Sequence, residues 1–436
     1  MKLHILVMAA TTIAVAGLAA PIAAHAETSV PAGSVASVNK SPAVAETKCT
    51  TIASGQTDLC ASMQAMPMSK LTSAQRIQRA QVMGAGAGTA RPATESPALT
   101  VTLPTQCDFT AGIGGLDANP DRFTSCADTF WLYTTYEVTD GVITITGTFN
   151  FEDLQWASYS ATSSTWEHGL ETLGYETGAT GTLEDGFSAL LQSNCFFDGA
   201  GICTATSLTT PDPQPVDITP HSTSVFEWTE QDAGPASTTA ESDTILSGTL
   251  GVVWDVTAPV PGIAIDVPNA AVGSPTTGLD GRCDTIATRT DGCVNDLFIP
   301  TLTYNSRSNP LVGPVARHIY TAQTATPANG GLKTKWGVPA SGEPLNRDMS
   351  ASDQRANRRA ACSKVRLRPG TSCDEYPLAT TYEGAAFNSD FSVFVVPTSA
   401  NDSQGGITGS FYGSNRVIDD DAFWVRAILP NGTASW

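Results

Sequence analysis

Ten cysteines constrain this chain more than any other feature, because each has another cysteine 8 to 19 residues away. An even number of cysteines without a C-x-x-C spacing favours disulfide bonds over zinc binding or thioredoxin-like redox chemistry. Spacing alone does not fix the connectivity, but the short separations favour bonds between neighbours. The predicted pairs are Cys49–Cys60, Cys107–Cys126, Cys195–Cys203, Cys283–Cys293 and Cys362–Cys373.

Cys373 has an alternative interpretation, as a catalytic thiol with His318 as its base. Two carboxylates, Asp374 and Glu375, follow it directly. Neighbouring negative charges raise the pKa of a thiol, which is the wrong direction for a nucleophile. The disulfide is therefore the favoured prediction.

The first residues read MKLHILVMAATTIAVAGLAAPIAAHA, with a lysine, an apolar run and a small-x-small site at Ala24–Ala26. This pattern predicts a signal peptide over residues 1–26, since no later segment is apolar enough to span a membrane. We therefore expect a secreted protein, either extracellular or periplasmic, without a membrane span.

Three zones follow along the chain. Residues 27–100 are rich in Ala, Ser, Thr, Pro and Gly and predict a low-complexity linker. Residues 101–280 have β-branched and aromatic runs, which predict an antiparallel β-sandwich or barrel. In the hairpin WLYTTYEVT-DG-VITITGTFNF, alternation predicts that one face carries Ile143, Ile145, Phe149 and Phe151.

Residues 281–436 mix helical and strand patterns. GPVARHIYTAQ predicts a short helix, and Ser350 with Asp353 predicts the capped start of a second helix at SASDQRANRRAAC. FSVFVVP and DAFWVRAIL predict strands. The third zone is therefore expected to be an α+β domain.

Charge separates the last two zones. Residues 123–281 contain no Lys or Arg but 21 Asp and Glu, whereas residues 347–368 are locally basic. Arg355, Arg358 and Arg359 share one helical face by their spacing. This face is either solvated charge or a surface that contacts phosphates.

Several motifs in the third zone occur in one order: ARHIYTA, RPGTSCDEYP, CDEYPLATTYEG, VVP, NDSQGG, FYGSNRV and DAFWV. Together they resemble the NucA/NucB type of secreted bacterial deoxyribonuclease, whose hallmark is an Asp-Glu-aromatic-Pro element. The resemblance extends from about Cys283 to Leu429. The acidic β zone is similar to an N-terminal extension found in some longer members.

The resemblance implies a C-terminal ββα-metal-like nuclease domain that cleaves DNA with one divalent ion and an aspartate in place of the usual histidine base. The predicted fold class is α+β, with this domain preceded by the all-β sandwich-like domain. The residues expected to contact DNA are Arg347, Arg355, Arg358, Arg359 and Arg416.

Phosphodiester hydrolysis needs a base for water, a cation and donors that hold the phosphate. Asp374 is the candidate base, because a neighbouring carboxylate raises its pKa while a metal or Arg lowers it. His318, the one histidine of the third zone, is more simply interpreted as a packing or hydrogen-bonding residue.

The candidate metal ligands are oxygen donors. Glu375 or Glu383 offers a carboxylate, and Asn401 or Gln404 offers an amide oxygen. Such ligands suit Mg²⁺ or Mn²⁺, and also Ca²⁺, better than zinc.

Simpler interpretations remain open for three of these motifs. Glu383 and Gly384 also fit an ordinary turn, and NDSQGG also fits a loop without function. The run Asp419–Asp421 resembles a calcium site, but consecutive acids cannot all face one ion without a bend, so a solvated turn is favoured.

Two other functional classes are possible. A non-catalytic binding or structural protein could carry a degenerate nuclease domain, although the set of Asp, Glu, Asn and Gln residues argues against decay. A glycosidase needs two carboxyl groups roughly 5 to 10 Å apart across a cleft. Asp374 and Glu375 do not supply that pair, because adjacent residues of a strand point to opposite faces.

The acidic zone adjoins a domain whose expected substrate is a polyanion. It could cover the basic helix by an intramolecular contact, bind a cationic surface outside the cell, or simply keep the protein soluble. The sequence does not determine the oligomeric state.

Overall fold

The computed structural model describes residues 46–51, 57–66, 70–78, 107, 117–197, 203–207, 213–232, 245–258, 263–266, 279–288, 290–325, 334–363 and 365–436. The predicted signal peptide at residues 1–26 lies outside this description, as do the side chains of Cys195 and Cys203.

Strands dominate the first two thirds of the chain. In order they are β1 (Glu46–Thr51), β2 (Thr57–Met66), β3 (Asp117–Asp121), β4 (Thr124–Thr139), β5 (Val142–Ser158), β6 (Thr165–Gly174), β7 (Thr180–Gly181), β8 (Phe187–Phe197), β9 (Cys203–Ser207), β10 (Gln214–Ile218), β11 (Thr223–Asp232), β12 (Ile245–Ala258), β13 (Ile263–Asp266), β14 (Leu279–Asp284) and β15 (Gly292–Val294).

These strands form two antiparallel sheets. The first has the order β1-β2-β4-β5-β6-β11-β9, with β3 beside β4 and β7 beside β5; the second has the order β10-β8-β12-β14-β15, with β13 beside β12. One apolar core contains side chains from both sheets, such as Trp131 and Phe151 from the first and Phe187 and Leu191 from the second. The two sheets therefore pack face to face through this core. The domain boundary expected after residue 280 falls within β14, which pairs with β12.

β1 and β2 lie inside the stretch whose composition predicted a linker. β2 pairs with β4 along its whole length, and its residues Cys60, Ala61 and Met63 are buried. The partner strand is distant in the sequence, so local composition does not reveal this pairing.

The β4–β5 hairpin turns at Asp140 and Gly141, which both have positive φ, as the Asp-Gly signal predicted. Beyond the turn, the register shifts by one residue near Thr146. A one-residue bulge reverses the alternation of side chains. Phe149 and Phe151 are buried, but Ile143 and Ile145 are 66% and 65% exposed. The prediction that all four share one face is therefore wrong, because alternation does not reveal a bulge.

The structure contains four of the predicted disulfide bonds: Cys49–Cys60, Cys107–Cys126, Cys283–Cys293 and Cys362–Cys373. The first and third join directly paired positions of adjacent strands. The fifth predicted bond, Cys195–Cys203, lies outside the described side chains.

The last third of the chain mixes strands with helices, which confirms the predicted α+β mixture. Its elements are β16 (Thr301–Asn305), α1 (Gly313–Thr324), β17 (Leu345–Asn346), α2 (Ala351–Cys362), β18 (Thr371–Tyr376), β19 (Ser392–Pro397), α3 (Thr398–Ser414) and β20 (Ala422–Ile428). β20 lies between β16 and β17, and β18 pairs with β19. Among the described residues, no helix is long and apolar enough to cross a membrane.

Both predicted helices are confirmed. Ser350 caps α2, since its side chain accepts a hydrogen bond from the Asp353 amide. NDSQGG, for which a loop was the simpler alternative, lies instead within α3. Four glycines weaken the intrinsic helix propensity of this segment. Packing of Ala400, Phe411 and Tyr412 into the apolar core stabilises the helix nevertheless.

Two arginines from the sheet region contact the turn before β20. Arg282 donates to Asp421 Oδ1 at 2.5 Å and Arg122 donates to Asp421 Oδ2 at 2.8 Å. Asp419, in contrast, accepts from the Met349 amide. The run Asp419–Asp421 therefore does not converge on one point, and Asp421 is bound in ion pairs rather than solvated.

Arg416 also joins the two parts of the chain. It is fully buried, and its guanidinium donates to Asp284 Oδ1 at 2.7 Å and Oδ2 at 3.1 Å. The prediction that Arg416 contacts DNA does not fit this position, because the side chain presents no surface. Arg416 and the two arginines at the edges of the acidic zone thus make contacts between the parts. Arg355, Arg358 and Arg359 of α2 are exposed, and coverage of this helix by the acidic zone stays a prediction.

Candidate functional site

β18 carries the two adjacent carboxylates of the Asp-Glu motif. Alternation along a strand directs them to opposite faces. The Asp374 side chain is only 1% exposed, whereas Glu375 is half-buried. Asp374 lies directly opposite Phe394 of β19. The two acids therefore occupy different environments despite being neighbours.

A pocket of about 490 Å³ lies against β18 and between α2 and α3. Residues from all three elements line it. The lining that matters for chemistry consists of Arg358, Asp374, Glu375, Asn401, Gln404, Thr408 and Tyr412. The structure thus brings together five of the residues that the sequence singled out.

Asp374 makes one side-chain hydrogen bond. Its Oδ2 lies 2.7 Å from Nδ1 of His318, which α1 directs toward β18. Its Oδ1 is buried and has no hydrogen-bond partner among the described residues. A buried carboxylate oxygen without a donor is unfavourable unless a ligand or water completes it, so this oxygen can accept a further hydrogen bond.

Glu375 has a perturbed proton affinity. Burial, together with the negative charge of Asp374, raises the pKa of Glu375 to about 7, while the Arg358 guanidinium lowers it. A nearby cation would favour the ionised form. Glu375 can therefore act as an anionic ligand once a positive charge binds beside it.

α3 supplies the amide donors and acceptors of the pocket. Asn401 and Gln404 are three residues apart, so both lie on the helix face toward β18. Thr408, one turn further on, binds the hydroxyl of Tyr304 at 2.7 Å. These contacts anchor the pocket wall to the core.

Apart from the buried Arg416, the predicted DNA-binding arginines have three kinds of position. Arg358 lines the pocket, and Arg355 and Arg359 are exposed on the same helix. Arg347 is half-buried, with its guanidinium 4.3 Å from the ring centre of Tyr412. Arg358 can therefore reach a phosphate in the pocket, while Arg347 orients a ring of the wall.

Glu383 is not among the residues that line the pocket. Its carboxylate accepts hydrogen bonds from the backbone and side-chain amides of Asn346, at 3.0 and 2.9 Å. Burial raises the pKa of Glu383. Its position fits a structural brace between β17 and the loop after β18 better than a ligand of an ion in the pocket.

The remaining donors fit a hard divalent cation. Among the described His, Cys, Asp and Glu residues, the one close group of three is Cys362, Cys373 and Glu375. The two cysteines are bonded to each other, so they offer no thiolate. Glu375, Asn401 and Gln404 line one pocket and offer oxygen donors. Such donors suit Mg²⁺, which keeps several waters and needs few carboxylates.

The Cys362–Cys373 bond also removes the alternative in which Cys373 is a nucleophile. It joins the end of α2 to the residue before Asp374. The disulfide thus joins α2, which carries the exposed arginines, to β18, which carries the buried carboxylate.

Sequence reasoning missed two supporting residues. Asn357 is fully buried, and its side chain binds the carbonyls of Ala379 and Thr381, which fixes the loop after β18. Ser392 lies 2.9 Å from Nε2 of His318. A polar residue on the apolar side of α2 was a detectable signal for Asn357, whereas Ser392 had none.

Residues 334–426 match the family model for deoxyribonuclease NucA/NucB. The matched segment contains β18, β19, α3 and the pocket residues, and it begins after α1. A comparison with curated proteins gives no match. The family match supports deoxyribonuclease activity for the C-terminal part of the chain.

Proposed function

We propose that this protein is a secreted, metal-dependent endonuclease that hydrolyses DNA phosphodiester bonds, with Asp374 as general base. The observation that carries the proposal is that Asp374, whose Oδ1 has no partner among the described residues, lines the same pocket as Arg358. The consecutive elements β18, β19 and α3 agree with a ββα-metal core.

In the proposed reaction, Asp374 Oδ1 accepts a proton from a water molecule. The water oxygen forms a bond to phosphorus, the bond from phosphorus to the leaving oxygen breaks, and that oxygen takes a proton from solvent. General-base catalysis of this kind contributes about 10²–10⁴-fold.

Arg358 would hold the phosphate, since a guanidinium donates two parallel hydrogen bonds to it. Glu375, Asn401 and Gln404 would hold the divalent ion. When bound, such an ion neutralises charge that develops on the phosphate and the leaving oxygen. Arg355 and Arg359 would extend the positive surface along the DNA backbone.

Export from the cytoplasm is part of the proposal. Four disulfide bonds are typical of proteins that fold in an oxidising compartment. The predicted signal peptide agrees with this location.

Supercoiled plasmid tests the proposal directly. The purified protein should nick and linearise the plasmid with Mg²⁺ or Mn²⁺, stop in EDTA, and recover when the ion is restored. Asp374→Asn protein, purified in parallel, controls for contaminating nucleases. Intact plasmid with every divalent ion, combined with a gel shift, would favour the non-catalytic binding protein instead.

A further inference from the structure

His318 connects two strands at the base of the pocket. Its Nδ1 lies 2.7 Å from Asp374 Oδ2 on β18, and its Nε2 lies 2.9 Å from the Ser392 hydroxyl on β19. The imidazole is 3% exposed and the Asp374 carboxylate 1%. Both ring nitrogens are therefore engaged, and the ring is closed off from bulk solvent.

The partners determine which nitrogen carries the proton. An ionised carboxylate only accepts hydrogen bonds, so Nδ1 must donate to Asp374. In the neutral imidazole, Nε2 then accepts from the hydroxyl of Ser392. The carboxylate thus selects the tautomer with a donor at Nδ1, and the Ser392 hydroxyl, which can donate or accept, holds the other side of the ring.

This contact distinguishes the two oxygens of Asp374. His318 occupies Oδ2 and leaves Oδ1 without a donor. The ring of Phe394 stacks on His318 with centroids 5.7 Å apart and restricts rotation of the imidazole. His318 itself is not among the residues that line the pocket, so it is badly placed to take a proton from substrate water.

We propose that His318 is a positioning residue, which holds Asp374 through Oδ2 and leaves Oδ1 as the acceptor for substrate water, and that Ser392 orients the imidazole through Nε2. This inference rests on the proposed function. The histidine lies on α1, in the ARHIYTA motif, and precedes residues 334–426 that match the family model. α1, which precedes the matched segment, would therefore contribute a residue to the site that lies in the matched segment.

Two conservative variants of His318 separate this role from packing. The amide nitrogen of Asn can occupy the place of Nδ1, whereas that of Gln reaches the place of Nε2. We expect His318→Ala to lower kcat about 10–100-fold, as loss of an orienting partner does at other sites. His318→Asn should recover much of that loss and His318→Gln little. KM for a DNA duplex should stay near wild type, because the arginines are untouched.

A double variant tests whether His318 acts through Asp374. In the Asp374→Asn background, His318→Ala should cause no further loss, since there is no longer a base to position. Ser392→Ala removes one hydrogen bond from a partly exposed site and should lower kcat several-fold. Thermal melts show whether the His318 variants fold. If they do not, kcat of Ser392→Ala tests the positioning role instead.

The outcomes are distinguishable. Equal recovery of kcat by His318→Asn and His318→Gln would overturn the positioning role, and so would a loss confined to KM. If the His318 variants do not fold, a wild-type kcat in Ser392→Ala would overturn it. A wild-type protein that does not cut DNA would instead overturn the proposed function. Full activity of Asp374→Asn would reject the base and, with it, a residue that serves that base.

Discussion

Two of the buried charged groups among the described residues differ in how their oxygens are satisfied. One lies where the sheets meet the C-terminal part, and the other lies beside the pocket. In the first, all four oxygens of Asp284 and Asp421 accept hydrogen bonds from arginines. In the second, Asp374 has one oxygen on His318 and the other without a partner. The first group is complete in itself, whereas the second is complete only with a ligand.

The difference separates a structural charge cluster from a reactive one. A buried ion pair is retained when each charge is neutralised and hydrogen-bonded, and removal of one partner is then strongly destabilising. A buried carboxylate with a free oxygen stores an unfavourable interaction that substrate water can relieve. We therefore expect substitutions in the first group to change stability and substitutions in the second to change catalysis.

The largest expected effect is on activity at Asp374. Asp374→Asn should reduce the rate of plasmid cleavage about 10²–10⁴-fold, because the amide keeps the shape but cannot accept the proton. The melting temperature should change little. Asp420→Asn is a matched control, since Asp420 is exposed on the surface and Asn tolerates its positive φ. Near-normal cleavage by Asp374→Asn would remove the proposed base.

Asp284→Asn should have the reverse profile. It leaves the buried guanidinium of Arg416 without its counter-charge, which costs about 3–5 kcal/mol of stability. Thermal melts should show a large decrease in Tm, while kcat measured well below that temperature stays near wild type. A loss of kcat in the folded variant would mean that the two charge clusters are coupled.

The sequence predicted contacts between residues that are close along the chain better than contacts between residues that are far apart along it. The Asp-Glu motif, the Ser350 cap and the short disulfides are local patterns, and the structure contains them. Arg416 was misjudged because its partner, Asp284, is 132 residues away and no local pattern indicates it. His318 was recognised as a hydrogen-bonding or packing residue, but its contact with Asp374 requires α1 to pack on β18.

The same reason explains the errors in the fold. The pairing of β2 with β4 depends on a strand that is distant in the sequence, and the bulge near Thr146 leaves no mark on the alternation of residue types. The glycine-rich segment of α3 has weak helix propensity and forms a helix because its apolar residues pack into the core. Periodicity and propensity report only what neighbours in the sequence contribute.

Two disulfide bonds that close loops of equal length allow a further comparison of the two regions. Cys362–Cys373 and Cys49–Cys60 both have a sequence separation of 11. Equal loops predict similar losses of stability when each pair is replaced by serine, roughly 2–4 kcal/mol. We expect only the Cys362/Cys373 variant to lose kcat as well, because that bond holds the residue before Asp374. Equal kcat for both folded variants would separate the bond from the site.

The smallest expected effect concerns Asp153, a buried carboxylate in the stretch without Lys or Arg. Burial raises its pKa to about 7, from an ordinary value of 3.8. Between these values the folded protein retains a proton that the unfolded chain has released, so stability falls as pH rises from about 4 to about 7 and the penalty is constant above it. Asp153→Asn has no such proton, so its stability relative to wild type should be higher at pH 8 than at pH 4. Thermal melts of both proteins across this pH range check the prediction. The difference in Tm between them removes the contribution of the arginine pairs, because both proteins contain these pairs. Parallel curves would show that the protonation of Asp153 is not linked to folding.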